Sequence, residues 1–157
     1  MSNKSTATAE NALTKDEIDA YLAQRLLARM ATHRPDGHIH LTPIWYVWDG
    51  ERFHHTLGNS RVHVRNLAAN PRYSLVIDED YRLENGLAAG ARSVTVRGVA
   101  TLSQDPALIE DITYRALVKY LGEDDAKLYL EPIMAEGRTI ITMEPTAWVT
   151  WDYNKAD

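Results

Sequence analysis

The stretch Phe53-His-His-Thr-Leu-Gly-Asn-Ser-Arg-Val-His-Val-Arg-Asn-Leu67 predicts a strand that breaks at its glycine and continues as a helix near Ser60. Two arginines, Arg61 and Arg65, lie with the serine hydroxyl where this helix begins. Unpaired backbone N–H groups and the helix dipole attract anions to such a position, and arginine adds charge-assisted bonds to phosphate. The stretch therefore predicts a phosphate-bearing ligand at residues 56–65.

Length and composition restrict the kinds of protein that the chain can form. With 157 residues it can fill one well-packed core, so we expect a single domain at 14–157 after a disordered tail at 1–13. Cysteine is absent, which excludes disulfides, iron–sulfur clusters and thiol nucleophiles and fits a cytoplasmic protein. The net charge of −5 argues against a nucleic-acid partner. No apolar run approaches the roughly 20 residues of a membrane span, so no membrane partner is expected.

Periodicity and turn residues predict the other elements. The predicted strands cover residues 26–33, 38–48, 52–56, 73–78, 93–102, 138–143 and 147–151, and the predicted helices cover 15–25, 60–69, 123–135 and a segment opened by Asp105-Pro106, with a surface loop at 79–91. Thr14 and Glu17 form a capping box before the first helix, and Gly98 predicts a bulge or bend in its strand. Because the early strands follow one another through hairpins, the pattern favours an α+β fold with a barrel of six or seven antiparallel strands.

The dipeptide Asp49-Gly50 predicts a two-residue turn between two of these strands. In the resulting register Trp45 faces His54 across the hairpin. The same register brings residues 42–45 next to residues 56–61 at one end of the sheet. The hairpin therefore places a second segment beside the predicted phosphate site.

Pro43 lies within that second segment and has no N–H group to donate to a neighbouring strand, so the strand must be irregular or lie at an edge there. An irregular strand end offers free backbone groups to a ligand. The alternative is an ordinary edge strand, in which the proline prevents pairing with the edge of another molecule and so prevents aggregation. Taken alone, the residue favours the plain edge strand.

Six histidines raise the alternative of a metal site. His38 and His40 share a strand face, whereas the neighbours His54 and His55 point to opposite faces. In the predicted register His54 and His55 do not lie opposite His38 or His40. The four side chains therefore cannot surround one metal ion, and no metal site is predicted. The chain also lacks a nucleophile elbow, a Walker-type loop and a dinucleotide-binding glycine motif.

Several short segments occur in a particular order and spacing between residues 20 and 152. They are Ala28-Arg-Met-Ala-Thr-His-Arg-Pro-Asp-Gly37, Leu41-Thr-Pro-Ile-Trp-Tyr-Val-Trp-Asp-Gly50, Ser60-Arg61, Arg65-Asn-Leu67, Asn70-Pro-Arg72, Val96-Arg-Gly98 and Trp151-Asp152. In this arrangement the chain resembles the pyridoxamine-phosphate-oxidase-like, flavin-binding split-barrel superfamily. The resemblance implies a split β-barrel with short peripheral helices, which forms a homodimer and binds its cofactor between the protomers.

The same resemblance implies a set of cofactor-binding residues. The backbone of the strand at 42–45 is expected to contact the flavin ring, and Thr56, Ser60 and Arg61, which match the family's threonine and Ser-Arg pair, are expected to hold the cofactor phosphate. The predicted cofactor-binding residues are Thr42, Pro43, Ile44, Trp45, Thr56, Asn59, Ser60, Arg61, His63 and Arg65. No side chain is predicted to act as a catalytic acid or base.

Two departures from the family pattern bear on the cofactor and the reaction. The family commonly has a lysine either just after the Ser-Arg pair or three residues before the Asn-Leu pair, and this chain has Val62 and His63 at those two places. The closing Trp-Asp and the segment Leu121-Gly-Glu-Asp124 are similar to the branch that uses the deazaflavin coenzyme F-420, so the cofactor is expected to be F-420 or FMN. The arginine–histidine substrate motif of true pyridoxamine-phosphate oxidases is absent, so vitamin B6 synthesis is not expected.

These expectations combine into one predicted function with one alternative. The chain is expected to be a cytoplasmic, homodimeric oxidoreductase that transfers a hydride between a flavin or deazaflavin and a small organic acceptor. The alternative is a protein that binds or carries a flavin or haem without catalysis. The partners expected are therefore a small-molecule substrate and a second copy of the chain.

Overall fold

The computed structural model describes residues 8–79, 82–84, 87–89 and 91–155. Helix α1 spans Lys15–Leu22 and begins with the predicted capping box, because the Thr14 hydroxyl accepts from the backbone N–H of Glu17 while the Glu17 carboxylate accepts from that of Thr14. The helix ends three residues earlier than predicted. Within the segment predicted to be a disordered tail, residues 1–7 lie outside the described residues. Its last residues contact the sheet, because the Leu13 N–H donates to the Thr150 hydroxyl.

Seven strands form the main sheet, in the order β2-β1-β5-β8-β9-β4-β3, and every neighbouring pair is antiparallel. They are β1 (Ala28–His33), β2 (Ile39–Ile44), β3 (Val47–Trp48), β4 (Phe53–Gly58), β5 (Arg72–Asp78), β8 (Arg92–Ser103) and β9 (Arg138–Asp152). The helices after α1 are α2 (Val62–Ala69), α3 (Pro106–Leu121) and α4 (Glu123–Met134). The predicted α+β class, with a barrel of six or seven antiparallel strands, is confirmed, and the main sheet has seven.

The sheet curls where the two longest strands are irregular. The register of β8 and β9 shifts between Arg97 and Gly98, which confirms the predicted bulge. A side chain at Gly98 cannot be accommodated, because a Cβ atom there would lie 2.0 Å from the carbonyl oxygen of Glu144. Pro145 lies opposite Gly98 at this shift in register, where the ladder does not need the N–H group that proline lacks. β9 therefore continues through the proline as one strand. The predicted division of β9 into two strands is therefore wrong.

The predicted two-residue hairpin turn is also wrong. Trp48 pairs with Phe53, which leaves a four-residue connection at 49–52. The Asp49 carboxylate closes this connection by accepting from the backbone N–H groups of Glu51 and Arg52, at 2.8 and 2.7 Å. The Asp49 side chain thus stabilises a loop of four residues, which is longer than the two-residue turn that the Asp-Gly dipeptide predicted.

The predicted strand at 38–48 is two strands on opposite edges of the sheet. β2 pairs with β1 as far as Ile44, and β3 resumes at Val47 on the far edge. Trp45 therefore does not face His54 in a ladder. Between the two strands the backbone N–H of Tyr46 donates to the phenolic oxygen of Tyr120, at 3.2 Å, which ties the crossing to α3.

The segment predicted to be a loop at 79–91 contains a small hairpin. β6 (Arg82–Glu84) and β7 (Leu87–Ala89) pair with each other and stand apart from the main sheet. Residues 80, 81, 85, 86 and 90 of this segment lie outside the described residues. The prediction of a plain surface loop is wrong for the two short strands.

The core lies inside the curl of the sheet. It consists of fully buried side chains from alternate positions of the strands and from α1 and α2. Examples are Tyr21, Leu22, Met30, Leu67, Leu75 and Ile77. Each buried aliphatic side chain stabilises the fold by roughly 1.5–3 kcal/mol. A second cluster packs α3 on the far end of the sheet, where Ile112 contacts Val47 and Ile140. No helix in the described part of the chain is long and apolar enough to cross a bilayer.

Candidate functional site

A cavity of about 450 Å³ lies between the end of β2, strand β4, the start of α2 and the inner side of α3 and α4. Its lining combines an apolar wall with a basic end. The lining residues are Leu27, Thr42, Pro43, Ile44, Trp45, Thr56, Leu57, Gly58, Arg61, His63, Thr113, Ala116, Leu117, Ile133, Glu136 and Arg138.

The cavity brings together the two segments that the sequence placed side by side. The residues at 42–45 line it with Thr56, Arg61 and His63. They meet although β2 and β4 are not paired, because residues 45 and 46 cross from one edge of the sheet to the other. Proximity therefore comes from the curl of the sheet, not from the predicted hairpin.

Three of the predicted site residues do not line the cavity. Helix α2 begins at Val62, two residues later than predicted, so Ser60 precedes the helix and is exposed. Arg65 is exposed on α2. The Asn59 side-chain oxygen accepts from the Thr139 hydroxyl at 2.7 Å, which fixes the loop before α2 to β9.

Trp45 gives the cavity a flat aromatic wall and is held in place by a stacked neighbour. The Trp45 indole lies parallel to the Tyr120 ring, with centroids 4.6 Å apart and an interplanar angle of 6°. The Tyr120 hydroxyl is anchored because it donates to the carbonyl oxygen of Leu26 at 2.7 Å. Trp45 keeps 37% of its surface exposed, so one edge of this rigid stack remains available to a ligand.

The basic end is built around Thr56 and includes a residue that the sequence analysis missed. Arg138 donates from Nε to the Thr56 hydroxyl at 2.7 Å and from Nη2 to the Thr56 carbonyl oxygen at 2.9 Å. Thr113 of α3 shares a further 2.7 Å hydrogen bond with the Thr56 hydroxyl. No local signal in the sequence marks Arg138 or Thr113, because only the pairing of β4 with β9 and the packing of α3 bring them to Thr56.

The charges at this end are poorly balanced. Among the described residues, neither Arg61 nor Arg138 lies within ion-pair distance of a carboxylate. Burial lowers the pKa of Arg138, with Glu136 opposing and Arg61 adding to that shift. An arginine retains its proton even so. The cavity thus holds two guanidinium groups and one carboxylate.

His63 adds unpaired hydrogen-bonding groups to the same wall. Its side chain is buried on α2, and neither ring nitrogen has a hydrogen-bond partner among the described residues. The ring stacks on His40, with centroids 5.9 Å apart. Burial lowers the pKa of His63 to about 4, with smaller contributions from His40 and Arg61, so the ring is neutral at pH 7.

His55 lies next to this wall and holds the crossing segment in place. Its Nδ1 donates to the carbonyl oxygen of Trp45 at 2.7 Å, which makes the buried Nε2 an acceptor with no partner in the described part of the chain. Burial lowers the pKa of His55 to about 4. Within the described ranges no three His, Cys, Asp or Glu side chains are arranged to hold a metal ion.

The curled antiparallel sheet, its peripheral helices and the position of the cavity define a split-barrel protein. A family model described as pyridoxamine 5'-phosphate oxidase matches residues 14–152, and the chain belongs to that family. No curated protein matches the chain.

Solved structures of similar fold differ in what they are named for. A conserved hypothetical protein from Mycobacterium tuberculosis has a TM-score of 0.82 at 24% identity, with 96% of this chain and 92% of that chain covered. A structure named as an F420 reductase has a TM-score of 0.54 at 24% identity, with 83% and 94% covered. A haem storage protein from Vibrio cholerae has a TM-score of 0.66 at 19% identity, with 87% and 93% covered. At these identities the likeness shows the fold alone.

Proposed function

We propose that the protein is an oxidoreductase that binds FMN or the deazaflavin coenzyme F-420 and transfers a hydride to or from a small organic acceptor. One observation carries the proposal: the cavity joins two arginines, which have no carboxylate partner in the described part of the chain, to a rigid, flat aromatic wall. A phosphate group matches the first feature, and a tricyclic ring matches the second. When bound, the cofactor supplies the hydride chemistry.

In this proposal the protein binds and orients the cofactor. Arg61 and Thr56 hold the phosphate, and the ring of His63, whose nitrogens have no partner among the residues that the structure describes, offers it one further hydrogen-bond donor. The backbone at 42–45 lies along the ring, next to the Trp45 stack. Three further residues are candidates for cofactor binding on the evidence of the sequence alone, since they do not line the cavity: Asn59, Ser60 and Arg65.

A homodimer with the cofactor at the protomer boundary is part of the proposal. Ile39, Leu41, Val99 and Val149 are all exposed, and the strand register places them on one outer face of the main sheet. Exposed apolar side chains gathered on one face are typical of protein interfaces. Pro43 belongs to the same face and also lines the cavity, so a second copy packed here would reach the cavity mouth.

Binding titrations and a visible spectrum test the cofactor. We expect the purified protein to bind FMN or F-420, and Arg61→Ala to weaken that binding about ten- to hundredfold, as expected for the loss of a charge-assisted bond. The control is Arg115→Ala, because Arg115 pairs with Asp111 on α3 and lies outside the cavity. A dissociation constant unchanged by Arg61→Ala would remove this arginine from the site.

Non-catalytic carriage of a flavin or haem is the second candidate. It is favoured by His63, because a neutral imidazole with free nitrogens in a cavity wall is a common iron ligand. A Soret band on adding haem that disappears in His63→Ala would support the haem carrier. Cofactor-dependent reduction of a quinone or nitro dye by the wild-type protein would support the enzyme.

A further inference from the structure

Arg138 occupies an unusual position at the first residue of β9. It lies directly opposite Gly58, the last residue of β4, and its side chain reaches diagonally back to Thr56 on the same face. The side chain of Arg61 lies beside the same glycine, because a Cβ atom at Gly58 would lie 3.9 Å from the Arg61 Cγ. Two arginines from distant parts of the chain therefore flank one residue that has no side chain.

The guanidinium of Arg138 is held rigidly but is only partly used. Nε and Nη2 are bound to the hydroxyl and carbonyl oxygens of Thr56, at 2.7 and 2.9 Å. Nη1 has no hydrogen-bond partner among the described residues. A guanidinium whose orientation is already fixed loses little side-chain entropy when it binds an anion. The hydrogen bonds to Thr56 thus prepare Arg138 to bind a ligand.

The charge around Arg138 also requires an anion. Partial burial and the nearby Arg61 both disfavour its positive charge. The carboxylate of Glu136 is the opposing charge in the lining, and it forms no ion pair with either arginine. Two guanidinium groups facing one cavity are stabilised by an anionic phosphate between them, because its negative charge offsets their mutual repulsion.

We propose that Arg138 is a phosphate-binding residue and supplies the second cation of the cofactor site. It takes the place of the lysine that the family pattern leads one to expect near Val62 and His63, although it comes from a different strand. This inference rests on the proposed function and adds a specificity-determining residue to it. Arg138 selects for cofactors that carry a phosphate and does not discriminate between ring systems.

Paired ligands with and without a phosphate group test the proposal. Dissociation constants are measured for FMN and riboflavin, and for F-420 and its chromophore without the phosphate, with wild type, Arg138→Gln and Arg138→Lys. Arg115→Gln is the matched control, because it removes the same charge outside the cavity. Thermal unfolding of each variant shows that the comparison is made on folded protein.

We expect Arg138→Gln to reduce the preference for the phosphorylated ligand about ten- to hundredfold, with little change for the ligand without phosphate. Arg138→Lys should retain part of the preference, because it keeps the charge but loses the two bonds to Thr56. Equal weakening of both ligands, or equal loss in the Lys and Gln variants, would assign Arg138 to holding the strand and overturn the proposal. A wild-type protein that binds neither ring system would overturn the proposed function itself.

Discussion

The stability of the protein should fall steeply between pH 7 and pH 5, because two buried histidines are neutral in the folded state. His55 and His63 have pKa values lowered to about 4, mainly by burial, against an ordinary value of 6.5. In this range the unfolded chain binds more protons than the folded one, so protonation favours unfolding. Above pH 6.5 both states hold neutral rings and the free energy of unfolding is not reduced. Between pH 6.5 and pH 4 the unfolded chain takes up protons first, and the free energy of unfolding falls progressively.

The size of the effect follows from the two pKa values. A difference of 2.5 between the folded and unfolded values corresponds to about 3.4 kcal/mol per histidine when the loss is complete. At pH 5 the same values give a loss of about 2 kcal/mol for each ring. His63 lines the cavity, so water reaches it more readily than His55 and its share is the smaller one. We therefore expect a combined loss of roughly 3–4 kcal/mol from these two rings.

Urea unfolding at pH 7.5 and pH 5, in buffers without phosphate, measures this difference. His55→Gln and His63→Gln should each be less sensitive to pH than wild type, and the double variant should be the least sensitive. His38→Gln is the control, because His38 lies in an exposed turn with 82% of its side chain accessible. A double variant with the same pH dependence as wild type would refute the reasoning.

Three further predictions concern the bulge, the outer face and the cavity charge. Gly98→Ala should destabilise the fold by about 3 kcal/mol or more in urea unfolding, because its Cβ would meet the carbonyl oxygen of Glu144. Leu41→Asp should convert a dimer to monomers in sedimentation, whereas Leu128→Asp, equally exposed on α4, should not. Glu136→Gln should tighten FMN binding about two- to fivefold, since it removes the anion from the cavity lining, and weaker binding would contradict this.

Local signals in the sequence predicted the parts of the fold that depend on neighbours along the chain. The capping box at Thr14 and Glu17 starts α1, and the Asp105 side chain caps α3 as its sequence indicates. The irregularity at Gly98 is also visible in the sequence, because only glycine fits where two backbones approach so closely. The start of α2 was predicted two residues too early, at Ser60, because Arg61 is the residue that precedes the first helical turn.

The register of distant strands was beyond these signals. The loop at 49–52 is longer than its Asp-Gly dipeptide indicates, because the Asp49 side chain binds two further N–H groups. The strand through residue 44 ends where β2 runs out of a partner, and the chain then crosses to the opposite edge. A hairpin pattern in the sequence reports only on residues close together along the chain. The crossing depends instead on which distant strands pair with β2 and β3 at the two edges of the sheet.

The sequence by itself determined the kinds of element and the antiparallel class, and it predicts a phosphate site in the segment with Thr56 and Arg61, since turn chemistry, periodicity and charge are local properties of the chain. Only the tertiary structure decided that Arg138 and Thr113 join that segment, because 82 residues separate Arg138 from Thr56 and their contact exists only through the β4–β9 register. The neutral state of His63 is likewise a tertiary property, since it arises from burial of the ring beneath neighbouring elements.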